Sequence, residues 1–159
     1  MIIRKASNKD AEILIKQVEL LVKHVSDTTG DVYLSNLEEA TSNHLSQWIH
    51  RVIDSETEVI FVAEDNSELA GFVMGKITKP FVAESKIKKI GYIDMCWVNP
   101  DYGRKEVGRK LISEIENWFK KKELRYIELN YIVGNSEAEH FWKKNDYIPY
   151  RISSRKELK

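Results

Sequence analysis

The sequence predicts an α/β (α+β) fold, a mixed and mostly antiparallel sheet with helices on both faces, and three observations carry that expectation. Residues 57–64 and 69–77 are two β-rich runs separated by Asp65-Asn66-Ser67-Glu68, a turn cluster that signals an antiparallel hairpin. Residues 92–98 form a third run, broken only by Asp94 and closed by Asn99-Pro100-Asp101, where Pro100 has no N–H to continue a ladder. Val107, Leu111, Ile112, Ile115, Trp118 and Phe119 then recur at helical spacing, and a further β-rich run follows at 126–133. Strand, helix and strand in that order give one parallel crossover beside the antiparallel hairpin.

The remaining elements follow from the N-terminus. Ile2 and Ile3 suggest a short first strand, and Ser7-Asn8-Lys9-Asp10 reads as a helix cap in which Ser7 or Asn8 accepts from the first free N–H groups. Leu14, Val18, Leu21, Val22 and Val25 make the apolar stripe of that helix, which Asp27-Thr28-Thr29-Gly30-Asp31 ends. Ser35 followed by Glu38 is a second capping box, and Leu37, Ala40, His44, Leu45, Trp48, Ile49 and Val52 predict a second helix from there. After the hairpin, a stretch with Lys86, Lys88 and Lys89 leads to the central strand as a solvated approach. A short helix at 136–144 and a last strand at 147–152 complete the order βααβββαβαβ.

A chain of 159 residues is expected to form one domain over 1–159 and needs no disulfide staple. Twenty-five basic and twenty-five acidic side chains cancel, so composition argues for neither a nucleic-acid nor an anionic-membrane partner, and any basic site must be local. The lone Cys96 excludes an internal disulfide. With no apolar run near 18 residues and no signal-peptide pattern, a soluble cytoplasmic protein is the expectation. His24, His44, His50 and His140 show no metal-ligand spacing, and no metal is predicted.

Chemistry concentrates between the central strand and its helix. Arg104, Lys105, Gly108, Arg109 and Lys110 stand where a helix start presents unpaired N–H groups and the positive end of its dipole, which makes an anion site. A solvated basic turn is the plainer reading of the cations alone. Gly108 tips the balance, because a glycine in the first helical turn costs about 1 kcal/mol of propensity and is easier to understand if a ligand backbone comes close.

The run V-N-P-D-Y-G-R-K-E-V-G-R-K-L, residues 98–111, resembles the acetyl-coenzyme A signature of the GNAT superfamily of N-acetyltransferases, V-x-P-x-Y-R-G-K-G-I-G-x-x-L. Gly103 stands where the family's first Arg or Gln is expected, Arg104 where its glycine often sits, and Glu106 at the middle glycine, while Gly108 keeps the last. A second element, G-N-S-E-A-E-H-F-W-K-K-N-D-Y at 134–147, resembles the family's N-x-x-A-x-x-x-Y-x-K-x-G-F. Asn135 and Ala138 match; Trp142 takes the place of a tyrosine that many members use to protonate the departing thiolate, and Asp146 that of a glycine. Two such motifs in the right order, with a strand between, are more specific than either alone.

The resemblance implies a GNAT fold with splayed central parallel strands, acetyl-coenzyme A as cofactor, and direct acetyl transfer to a primary amine of a small molecule or peptide. It implies that pantetheine pairs with the backbone of Met95, Cys96, Trp97 and Val98, that the pyrophosphate lies on Arg104, Lys105, Glu106, Val107, Gly108 and Arg109, and that Asn135 lies near the pantetheine. It also implies a homodimer as a candidate assembly, since family members often pair through edge strands. The acceptor would enter where Asp27, Asp31, Glu38 and Glu39 cluster, which favours a cationic amine; helix capping alone accounts for the same acids.

An acetyl transfer needs a base for the amine proton. Asp94 is the candidate because it interrupts an apolar strand, where burial raises a carboxyl pKa; a carboxylate paired with a lysine is the equal alternative. Tyr131, or Tyr147, is the candidate phenol, although both also read as packing. Cys96 inside an apolar strand reads as inert packing rather than an acetylated nucleophile. An enzyme of the acyltransferase class is therefore the main expectation, and a non-catalytic acyl-coenzyme A binding module the alternative.

Overall fold

Asn66 and Ser67, both at positive φ (50° and 68°), form the two-residue turn that the strand twist favours, and the hairpin it closes is the middle of the sheet. The computed structural model describes residues 1–37, 41–103 and 106–158, with 41–43 described by backbone alone. Five strands, β1 (Ile2–Lys5), β2 (Glu58–Asp65), β3 (Glu68–Thr78), β4 (Ile90–Val98) and β5 (Ile127–Leu129), lie in the spatial order β1-β2-β3-β4-β5. All neighbours are antiparallel except β4 and β5, which are parallel. That exception follows from the crossover helix α3 (Val107–Lys121) between them.

Alternation along the strands divides the core in two. Phe72 and Met74 of β3 face α1 (Ala11–Thr29) and α2 (Thr41–Ile53), packing with Leu14, Val18, Ile49 and Val52. Val73 of β3 and Ile93 of β4 face α3 and α4 (Ser136–Lys144), packing with Leu111, Ile115, Phe119 and Trp142. The expected helices on both faces are thus present, two to a face. Gly91 lets α3 sit close on β4, since a Cβ there would lie 2.7 Å from the Phe119 ring.

Helix α1 begins after a 3-10 turn (Asn8–Asp10) and ends at Gly30, which caps it in the left-handed conformation at φ 62°. At its start Asp10 is buried, accepts from the Ser7 backbone N–H at 2.7 Å, and takes a two-pronged bond from Arg4 at 2.8 Å on each oxygen. The Arg4 guanidinium holds the Asp10 carboxyl down at about 2, below its usual 3.8. A carboxyl lowered on folding contributes stability above its unfolded pKa and loses it as pH falls through the folded one. Asp10→Asn should therefore cost roughly 2 kcal/mol at neutral pH, and a chemical-denaturation series should show the wild type losing that advantage between pH 4 and 2.

Three elements differ from expectation. The described part of α2 begins at Thr41, not at Ser35; Ser35 lies in a 3-10 turn (Leu34–Asn36) and its hydroxyl donates to the Asp31 carbonyl at 2.9 Å. Glu38, the partner in that expected capping box, lies outside the described residues, as does Ala40. The strand expected at 126–133 is reduced to Ile127–Leu129. The strand expected at 147–152 does not form. Pro149 has no N–H to donate, and side chains tie the segment down instead: the Tyr150 hydroxyl donates to Glu128 at 2.6 Å and Arg151 stacks on Phe81 at 4.2 Å. Among the described residues no helix is long and apolar enough to cross a membrane.

Candidate active site

A bulge in β4 organises the site. Met74 faces Met95 and Gly75 faces Ile93, so Asp94 is one residue too many for its partner strand. Pairing with β5 stops at the same place, Ile93 opposite Leu129 being the last pair, and β4 runs on to Val98 with one edge unpaired among the described residues. The extra residue also resets which backbone groups face that edge. Asn99 donates to the Ala70 carbonyl at 2.9 Å, and antiparallel alternation from that bond turns the N–H and C=O of Met95 and Trp97 toward β3, and those of Cys96 and Val98 toward the open side. Of the strand residues expected to present backbone, Cys96 and Val98 do so, and Met95 and Trp97 do not.

The side chains separate in the same way. Met95 and Trp97 pack on the α1/α2 cluster, Cys96 and Val98 on the α3/α4 cluster. Burial pushes the Cys96 thiol up to about 12, so it stays protonated and unreactive. The Trp97 ring lies 5.5 Å from His24, which in turn sits 3.5 Å from Glu137 on α4. The Trp97 indole N–H is buried and has no hydrogen-bond partner among the described residues.

Asp94 meets Lys76, whose Nζ donates to Oδ1 at 2.6 Å and lies 5.3 Å above the Tyr92 ring. Both expectations for Asp94 coexist here: it is a half-buried carboxylate and it is paired with a lysine. Burial raises its pKa, the Lys76 bond partly offsets that, and Glu58 adds to the rise. Tyr131 does not join Asp94; it packs in the cluster on the opposite face of the sheet. Tyr147 donates to Glu116 on α3 at 3.0 Å, and burial followed by the Glu116 charge pushes its pKa up. Trp142 is 7% exposed and stands edge-on between Phe141 and Tyr147.

Two clefts open from β4. One, of ≈ 420 Å³, lies at the start of α3 and is bounded by Val98, Glu106, Gly108, Arg109, Phe141 and Lys144. Glu106 caps α3 from the left-handed region at φ 56°, a conformation that suits the glycine of the motif and costs a glutamate about 1–2 kcal/mol. Its side chain is exposed and turned toward Arg109, 3.9 Å away. The Lys110 N–H already bonds the Glu106 carbonyl, which leaves the N–H groups of Val107, Gly108 and Arg109 as the donors of the helix start without a partner among the described residues.

Gly108 has a packing reason beside the one expected. A Cβ there would lie 2.9 Å from the Phe141 ring, so the glycine admits α4 against α3, and it also lines the cleft. Asn135 is likewise buried as the cap of α4, its Oδ1 accepting from Ala138 N–H at 3.0 Å. Arg104 and Lys105 lie outside the described residues. Lys144 was missed, although it falls at the lysine of the second motif and lines this cleft.

The other cleft, of ≈ 680 Å³, lies between α1 and α2 and has Met95 at its floor. Of the four acids expected beside it, Asp27 pairs with Lys23 at 2.6 Å, and Asp31 pairs with Arg155 at 3.0 Å while accepting from the N–H groups of Tyr33 and Leu34. Glu38 and Glu39 lie outside the described residues.

Comparison with known proteins agrees with this geometry. The family model described as "Acetyltransferase (GNAT) family" matches residues 26–147. The fold superposes on a tetramutant of the BH1408 protein from Bacillus halodurans with a TM-score of 0.86 at 19% identity, over 99% of this chain and 100% of that one. Aminoglycoside 6'-N-acetyltransferase AAC(6')-IG from Acinetobacter haemolyticus gives 0.77 at 14%, over 100% and 99%. AAC(6')-Iy, in complex with the bisubstrate analog CoA-S-monomethyl-acetylneamine, gives 0.77 at 14%, over 99% and 98%. Among curated proteins the sequence has no match.

Proposed function

The chain belongs to the acetyltransferase (GNAT) family, and from that premise we propose that it transfers the acetyl group of acetyl-coenzyme A directly to a primary amine of a small molecule or peptide. Acetyltransferases of this family use acetyl-coenzyme A, and one neighbour of the same fold is held in complex with a coenzyme A bisubstrate analog. The observation that carries the proposal is the pair of clefts that open at Met95 and at Val98, on the stretch of β4 whose β5-side edge is unpaired among the described residues. The α3 cleft suits a phosphate-bearing ligand and the α1/α2 cleft an acceptor.

The residues present fit the cofactor. The N–H groups of Val107, Gly108 and Arg109, with the Arg109 and Lys144 side chains, would hold its phosphates. The free N–H and C=O of Cys96 and Val98 would hold its extended arm as a neighbouring strand would be held. When bound, acetyl-coenzyme A supplies an activated acetyl group. The reaction breaks a thioester C–S bond, forms an amide C–N bond, and carries one proton from the amine nitrogen to the sulfur.

Asp94 takes that proton. Its raised pKa places it closer to a working base than an exposed aspartate would be, and Lys76 fixes its carboxylate. The protonated Cys96 thiol argues against a covalent acetyl-enzyme. Trp142 is not a useful proton donor and the Tyr147 hydroxyl is committed to Glu116, so solvent, or Tyr131 on the Cys96 face of the sheet, supplies the sulfur's proton. Trp142 and Tyr147 favour one other reading, an acyl-coenzyme A binding module without transfer.

Thermal unfolding tests the cofactor site. Acetyl-coenzyme A at about 100 times its dissociation constant should stabilise the fold by roughly 2.7 kcal/mol, several degrees in Tm, with no comparable shift from ATP. An equal shift with ATP would reduce the site to a general polyanion site. Glu106→Gly should raise Tm by a few degrees, because it relieves about 1 kcal/mol of left-handed strain, and should tighten coenzyme A binding several-fold in calorimetry by removing a negative charge from the helix start.

A further inference from the structure

Helices α1 and α4 pack on opposite faces of the sheet, yet a side chain of one meets a side chain of the other. His24 Nε2 on α1 lies 3.5 Å from Glu137 Oε2 in the first turn of α4. Two observations fix where this link passes. The His24 ring sits 5.5 Å from Trp97, near the end of β4, which sets its level along the strand. Glu137 belongs to the helix that the chain enters after β5, which sets its side. The link therefore spans the notch that opens where pairing between β4 and β5 stops. The backbone groups of Cys96 and Val98, on either side of Trp97, face that same notch. Val98 bounds the α3 cleft and Met95 the α1/α2 cleft, so the link stands between the two.

We propose that His24 and Glu137 form a gate across the notch, which must part before the extended arm of coenzyme A can lie along Cys96 and Val98 and bring its thioester toward Asp94. The pair suits a gate better than a staple. Glu137 is 79% exposed and His24 38%, and water screens a contact so placed, which leaves it weak enough to open. Among the described residues neither side chain has another ion-pair or hydrogen-bond partner, so nothing else holds the link shut. Glu139, in the same turn of α4, pairs with Lys143 of its own helix instead. The His24 side is the fixed post, because Trp97 beside it packs into the α1/α2 cluster. Gating of this kind acts on entry and release of a ligand and leaves the chemical step to other groups. The inference rests on the acetyl-coenzyme A reading for the identity of what passes through.

Stopped-flow binding to the intact chain tests the gate without turnover, with coenzyme A compared against 3'-phospho-ADP, its nucleotide end without the arm. Glu137→Ala should raise the association rate of coenzyme A roughly two- to fivefold, the factor that one exposed ion pair is worth, and leave that of 3'-phospho-ADP unchanged. Glu139→Ala removes the same charge from the same helical turn without touching His24, and should leave both rates at their wild-type values. Holding the gate shut gives the converse. With His24→Cys and Glu137→Cys joined by a reducible bis-methanethiosulfonate spacer, which replaces the length of the two side chains, coenzyme A should bind no better than 3'-phospho-ADP until the spacer is reduced. Equal coenzyme A affinity in the joined and reduced chains, an unchanged rate in Glu137→Ala, or the same gain with 3'-phospho-ADP overturns the gate and leaves the cofactor site standing. A wild-type chain that binds coenzyme A no more tightly than 3'-phospho-ADP contradicts the arm's place on β4 itself, and with it the reading on which the gate rests.

Discussion

Asp94→Asn is expected to lower kcat by roughly 10²–10⁴-fold, the range over which a positioned base contributes, with no change in coenzyme A affinity. Asparagine keeps the shape and can still face Lys76, but it cannot accept the amine proton. The pH dependence separates this from a structural effect. Because burial raises the Asp94 pKa, kcat/KM should fall as pH drops through that raised value, where the carboxylate becomes protonated. Lys76 pulls in the other direction through its 2.6 Å bond, so Lys76→Met should move the acidic limb to higher pH while retaining measurable turnover. An unchanged limb in Lys76→Met, or full activity in Asp94→Asn, would remove Asp94 as the base.

Gly108→Val is expected to act on stability and on the cofactor together. The new Cβ would fall 2.9 Å from the Phe141 ring and 3.6 Å from Val98 Cγ2, so α4 must move away from α3. Overpacking of this kind costs about 1–3 kcal/mol, which for a chain of this size lowers Tm by roughly 3–10 °C. Displacing α4 also displaces Lys144 from the α3 cleft, so coenzyme A affinity should fall by more than the stability loss alone predicts. Calorimetry below Tm reads the two effects separately. Gly108→Val with normal stability would show that the glycine is not needed for the helix contact.

The parts legible in the sequence are those governed by local periodicity. The hairpin, the central strand with its proline stop, and α3 with its apolar stripe follow from spacing alone, and β2, β3, β4 and α3 stand close to where that spacing puts them. What depends on pairing was not legible. Nothing in the order of residues says that Asp94 is a bulge, since that requires knowing that Met74 meets Met95 while Gly75 meets Ile93. For the same reason Lys76 could not be assigned as the partner of Asp94, and the division of Met95–Val98 into two outward and two inward backbones was hidden.

The last segment failed for a related reason. Ile148, Tyr150 and Ile152 alternate as a strand should, yet all three are exposed, because Pro149 breaks the donor row and the tail is held through Tyr150, Arg151 and Arg155 instead. Gly108 was singled out correctly as unusual in a helix start, but its neighbour proved to be Phe141, which is 33 positions away in the chain. The paired acids Asp27 and Asp31 show the same limit: a count of carboxylates in a loop does not reveal which cations fold back onto them.

Amine-dependent release of thiol from acetyl-coenzyme A, followed together with mass spectrometry of the amine, tests the central claim most directly. One acetylated amine per thiol, at a rate well above thioester hydrolysis and dependent on Asp94, is the predicted result. Saturable binding of acetyl-coenzyme A with no amine in a broad panel raising thiol release above hydrolysis would contradict it, and would leave the chain as a binding module built on an acetyltransferase fold.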